Sequence, residues 1–142
     1  MTTSEYKKPL PAIGSLNRPF WDATRANHLD LQFCLDCRRP RYPISHVCPN
    51  CLSEGYEWQA VSGKGCVLST IVFHQVYNAA FATDVPYNVS LIQLEEGPRM
   101  FSNVVGVPPS DVKVGDQVMA VFDAVTNEVT IPRFRPVTPL TE

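Results

Sequence analysis

The sequence predicts a mainly β protein: a short N-terminal helix, a metal-binding ribbon, then a five-stranded barrel of the oligonucleotide/oligosaccharide-binding (OB) type. Three observations carry this. Four cysteines stand as two C-x-x-C pairs, Cys34-Leu-Asp-Cys37 and Cys48-Pro-Asn-Cys51, with ten residues between them. After Cys51 the chain runs in strand-length stretches of β-branched and aromatic residues, broken by turn signals. Apolar residues recur at helical spacing in a short stretch ahead of the first cysteine.

Residues 1–16 show no apolar period and hold Pro9 and Pro11, so a loosely ordered arm is expected there. Over 17–28 a helix is expected. Asn17 is a candidate N-cap, Pro19 suits a first turn, and Phe20, Trp21 and Thr24 fall near one face. Leu29, Leu31 and Phe33 then alternate as a strand feeding the cysteines, and the ribbon is expected over 29–56. The barrel is expected over 57–136. Tyr56–Ala60 alternates and leads into it, and Ser62-Gly-Lys-Gly65 is a turn or bulge signal. Cys66–Tyr77 is one long β run, and residues 78–86 break it as a loop. Tyr87–Leu94 and Met100–Val105 pair across Glu95-Glu-Gly-Pro-Arg99. Gln117–Val125 and Val129–Phe134 close a last hairpin over Thr126-Asn127, and 137–142 is left as a tail. About five antiparallel strands in roughly 80 residues fit an OB barrel.

Composition narrows the function. With 44% hydrophobic and 18% charged residues the chain can build a core, which excludes a disordered tail. Net charge is −2 with cysteines counted neutral, and four thiolates around a dication would make it about −4. An extended nucleic-acid surface gains its affinity from neutralising phosphates, so this balance argues against one. No apolar run is long enough to span a bilayer, and the first residues lack the apolar stretch of a signal peptide. Five cysteines, four at metal spacing, suit a reducing cytoplasmic setting better than a disulfide framework.

Two C-x-x-C turns place four thiolates at tetrahedral spacing around one ion, so Cys34, Cys37, Cys48 and Cys51 are expected to hold a structural Zn²⁺. Iron in the same geometry is the alternative that the ligand set leaves open. A four-sulfur site has no free position for substrate, so the metal folds the ribbon and performs no chemistry. With four thiolates present, His46 is expected at the surface.

Arg18-Pro-Phe-Trp21, Leu31-Gln-Phe-Cys34, Tyr42-Pro43, Trp58, Ser62-Gly-x-Gly65, Pro86-Tyr87, Leu94-x-Glu-Gly97-Pro-Arg99 and Val114-Gly115-Asp-x-Val118 accompany the cysteine array. Together, from about Arg18 to Arg135, they resemble a family of zinc-ribbon/OB-fold proteins known as domain of unknown function thirty-five. The resemblance implies a rubredoxin-like ribbon. It also implies a non-catalytic accessory role beside a thiolase-fold subunit (a thiolase, an acyltransferase or a steroid side-chain aldolase) acting on acyl-CoA thioesters. The large subunit would then hold the nucleophile and base, and the small one would support it or help bind the CoA ester.

Candidate contacts to CoA or to that partner are Arg38, Arg39 and Arg41 beside the metal loop, Phe20 and Trp21 on the helix, and Phe81 in the loop at 78–86. The arginines equally suit the charge of a zinc–thiolate centre with no ligand at all. Phe20 and Trp21 need cover, which a partner or a second copy could supply, because burying them gains about 3–6 kcal/mol. Arg133 and Arg135 flank Phe134 and are expected on one outward face. Cys66 has no histidine at a telling spacing and is expected to be a small buried residue. Glu95 and Glu96 are adjacent and are expected to point apart. The residues therefore offer no catalytic set. A single-stranded nucleic-acid-binding module is the alternative that a ribbon and an OB barrel permit.

Overall fold

The computed structural model describes residues 6–137, so expectations for 1–5 and 138–142 lie outside the described residues. The chain forms a helix α1 (Arg18–Arg25) and eight strands: β1 (Leu29–Cys34), β2 (Pro40–Arg41), β3 (Tyr56–Val61), β4 (Lys64–Phe73), β5 (Tyr87–Leu94), β6 (Arg99–Ser102), β7 (Gln117–Ala124) and β8 (Thr130–Pro136). They make two antiparallel sheets, ordered β2-β1-β3 and β6-β5-β4-β7-β8. The second curls into the OB barrel. Its two edges meet where Val104 bridges Phe134, with the Val105 amide donating to the Phe134 carbonyl and the Phe134 amide to that of Asn103.

α1 is short, and tertiary burial rather than length stabilises it. Phe20, Ala23 and Thr24 are buried on one side. Asn17 stands at the N-cap but does not cap the helix: it accepts from the Gly14 amide and donates to the Ala12 carbonyl, tying down the preceding arm instead. Asn27, at φ 69°, ends the turn. Tyr56–Ala60, expected to lead into the barrel, lies within β3 and pairs residue for residue with β1, from Leu29↔Val61 to Cys34↔Tyr56. Its partner is therefore the ribbon strand.

The Ser62–Gly65 signal marks the passage between sheets. Gly63 sits at φ +82°, and a Cβ on Gly65 would come within 2.7 Å of Ile92 and 2.9 Å of the Gln93 carbonyl. β4 stops at Phe73, short of the expected Tyr77, because its partner β5 begins at Tyr87. The residue before that is Pro86, which has no amide to donate. β6 also ends early, at Ser102 instead of Val105. There the buried Asn88 side chain accepts from the Val104 amide and donates to its carbonyl, turning the chain toward β8.

One core runs through both sheets: Phe20 of α1 and Leu29 and Leu31 of β1 pack with Val67, Ile92, Leu94, Val118 and Phe134 of the barrel. Among the described residues no helix is long and apolar enough to cross a membrane.

Candidate metal centre

The two C-x-x-C turns are local copies of each other. In the first, the Arg38 amide donates to the Cys34 carbonyl; in the second, the Leu52 amide donates to that of Cys48. Arg38 and Leu52 both adopt φ near +68°, at 68° and 67°, which folds each turn back toward the other. The four Sγ atoms lie within 4.8 Å of one another. Cys34–Cys51 and Cys37–Cys48 stand 3.5 and 3.7 Å apart. Four sulfurs about 2.3 Å from a tetrahedral Zn²⁺ would be about 3.8 Å apart, so the cluster fits that ion.

Backbone amides prepare it. The Asp36 and Cys37 amides donate to Cys34 Sγ and the Asn50 amide to Cys48 Sγ, all at 3.4 Å. The Cys37 amide, with that of Asp36, holds the Cys34 thiol down at about 6, although burial opposes it. The Cys51 and Asn50 amides likewise lower Cys48 against burial. Cys51 goes the other way, up to about 12: the Ser53 amide pulls it down, but burial and the three neighbouring sulfurs outweigh that. Four thiols this close cannot all ionise unaided, and a dication lets them.

The remaining candidates are scattered. Arg41 is only 5% exposed. It donates from Nη2 to the Ser45 carbonyl and lies 5.1 Å over the Tyr56 ring, bracing the ribbon, while its buried Nε and Nη1 have no partner among the described residues. Arg38 and Arg39 are exposed beside the first cysteine turn, with Arg38 4.0 Å from Glu57. Phe20 is covered by its own chain, at 5.0 Å from Trp21 and 5.8 Å from Tyr42, so no partner is needed to bury it. Trp21 is half-buried and borders a groove of about 450 Å³ with Pro11, Leu16, Tyr42 and Ile44. Phe81 is half-buried, stacked 5.6 Å from Tyr87 with Lys8 Nζ 5.4 Å over its ring. It borders a groove of about 750 Å³ at the barrel end, whose cations are paired: Lys8 with Asp84 at 2.6 Å and Arg133 with Asp123 at 2.8 Å.

Cys66 is half-exposed on the outer side of β4, not buried, and Val67 carbonyl is its polar contact at 3.8 Å. No histidine lines the hollow beside it. Glu95 and Glu96 converge instead of pointing apart. Ser62 donates its hydroxyl to Glu95 and its amide to Glu96, fastening the turn before Gly97 to the passage between sheets. Sequence reasoning missed Gln32, which is fully buried: its Nε2 donates to the Ser45 carbonyl and its Oε1 accepts from the Ser45 amide.

Two family models match the chain: the ChsH2 rubredoxin-like zinc ribbon domain over residues 21–57, and the ChsH2 C-terminal OB-fold domain over 58–123. The chain belongs to the ChsH2 (DUF35) family. Its ribbon is thus a zinc ribbon, with Cys34, Cys37, Cys48 and Cys51 positioned for the ion. Among similar proteins, a probable enoyl-CoA hydratase alpha subunit of Thermomonospora curvata is 35% identical, over 95% of this chain and 42% of its own length. A DUF35 domain-containing scaffold protein of Methanocaldococcus jannaschii is 38% identical over 63% of each. The chain therefore spans less than two thirds of either relative. Among solved structures, a chain of the Ltp2-ChsH2(DUF35) aldolase matches at 34% identity and a TM-score of 0.82, covering 91% of this chain and all of that one.

Proposed function

We propose that the chain is a non-catalytic accessory subunit of a thiolase-fold enzyme complex acting on acyl-CoA thioesters. One observation carries this. The chain superimposes nearly end to end on a chain of the Ltp2-ChsH2(DUF35) aldolase, in which a DUF35 protein is joined with a second protein, Ltp2. The hydratase name belongs to a relative more than half of which lies outside the match, so that activity is not assigned to this chain. Its "enoyl-CoA" nonetheless supports a thioester substrate.

The chemistry of the cysteines agrees. The metal site would be closed by four thiolates, and no histidine is among the residues lining the hollow beside Cys66 on its outer strand face. Reacting groups would come from the large subunit, and the zinc ribbon and barrel would support its active site. Arg38 and Arg39, exposed beside the ribbon, remain the candidate contacts to the CoA phosphates, with Trp21 and Phe81 bordering grooves that an acyl chain or a partner could enter. The site of action is the cytoplasm, where thioesters are made and thiols stay reduced.

The test is co-expression with each thiolase-fold protein of the same genome. One of them is expected to co-purify with this chain and to lose carbon–carbon bond cleavage or formation on an acyl-CoA when the chain is left out. If none co-purifies and none changes in activity, the function is wrong.

A further inference from the structure

The barrel sheet is apolar on both sides along one half, and only the inner side is explained by the core. Residues opposite one another in an antiparallel ladder share a face. The register pairs Ser69 with Leu91, Ile71 with Val89 and Phe73 with Tyr87 across β4 and β5, and Leu91 with Phe101 across β5 and β6. On β5 the alternate residues Asn88, Ser90, Ile92 and Leu94 are buried inside, which leaves Tyr87, Val89 and Leu91 outward. A surface sheet with one solvated face ordinarily reads polar there. This one does not.

Phe101 is 71% exposed and Ile71 53% exposed on that face. At its end Tyr77, 73% exposed, meets Phe73 edge to face at 6.0 Å. The two exposed aromatics alone present roughly 300 Å². With the aliphatic residues between them the strip is on the order of 500 Å², near the top of what a soluble monomer shows. Its polar end holds Cys66, Gln93, Gln117 and Arg99, the last pairing with Gln93. Two exposed cations, Lys64 and Arg99, stand at this end, and Glu95, which borders the same hollow, is held by the Ser62 hydroxyl.

We infer that the outer face of β4, β5 and β6 is the docking surface for the thiolase-fold catalytic subunit, through an apolar strip bordered by a carboxylate that meets Arg99. This rests on the function proposed above and adds the place of contact. Charge chooses the occupant. About 800 Å² per partner makes a standard interface, the scale of this strip with its polar end. A second copy would bring Lys64 and Arg99 against the same two cations, with its Glu95 already held by Ser62.

The experiment compares folded variants, checked by zinc content and melting, for complex formation with the co-purifying thiolase-fold protein. Phe101→Asp and Ile71→Asp are each expected to weaken the complex at least about 30-fold. Arg99→Glu should weaken it and flatten its salt dependence. Val114→Asp, at a 67% exposed position off this face, should stay within about twofold. Should Phe101→Asp lose zinc or melt early, Phe101→Ser is used in its place. If the complex forms unchanged with folded Phe101 and Ile71 variants, the docking surface is wrong and the proposed function stands. If the chain alone is a dimer that Phe101→Asp makes monomeric, the face belongs to a second copy and the inference is overturned. If the wild-type chain binds no thiolase-fold protein, the proposed function falls and the docking surface with it.

Discussion

Gln32 does at the scale of one residue what a third strand residue would otherwise do. β2 is only two residues long, so beyond Arg41 the chain has no ladder to hold it near β1. The Gln32 amide supplies both a donor and an acceptor to Ser45, 2.9 Å each, and Arg41 adds a second donor to the same carbonyl. This fixes the path from Tyr42 to Cys48 and so the second zinc turn. Gln32→Met keeps the volume and removes both partners. It should destabilise the fold by about 1–3 kcal/mol, because the Ser45 amide loses its acceptor and the Ser45 carbonyl keeps only Arg41. A melting experiment would read that as roughly 3–10 °C, whereas Arg38→Ala, exposed and distant from its carboxylate, should stay within about 0.5 kcal/mol. Equal melting of both variants would show that the clamp is dispensable. The sequence marks Gln32 only as part of Leu31-Gln-Phe-Cys34 and does not give its role, which depends on a backbone partner thirteen residues away. The cysteines were legible because their spacing alone brings four ligands to one point.

The ribbon as an element depends on a proton balance. Zn²⁺ binds thiolates, so protons compete with it and affinity must rise with pH until every ligand is ionised. Cys34, lowered to about 6, is already a thiolate at neutral pH. Cys51, raised to about 12, is still protonated there and gives up its proton only to the metal. Apparent zinc affinity should therefore climb steadily from pH 6 to pH 9, with protons released on binding, as measured by chelator competition in weakly buffered solution. A pH-independent affinity over that range would mean that the ion does not take all four sulfurs as thiolates. The other elements show the same division between local and distant causes. Runs of alternating residues located most strands, but where β4 and β6 end is decided by Pro86 opposite one and by Asn88 and Phe134 across the other.

Over the whole molecule, the sequence suggested a ribbon followed by a barrel, and packing joins them. β3 completes the ribbon sheet along its full length and passes through Ser62 and Gly63 directly into β4. Phe20, Leu29 and Leu31 lie in the same apolar cluster as Val67, Ile92 and Phe134. This continuity was not legible, because alternation tells which side of a strand is buried and not which sheet buries it. It has a thermodynamic consequence. If the zinc turns held a self-contained module, stripping the ion would melt that module and spare the barrel. A shared core predicts one cooperative transition, with loss of zinc lowering it as a unit. Cys48→Ala removes a buried ligand and should cost about 3 kcal/mol or more, a fall of roughly 10 °C. Fluorescence from Trp21 and Trp58, next to the ribbon, and circular dichroism, dominated by the barrel strands, should then trace the same lowered curve. A barrel signal that keeps the wild-type midpoint while the tryptophans shift would divide the molecule in two. The ribbon would in that case be an appendage to the barrel and not part of its core.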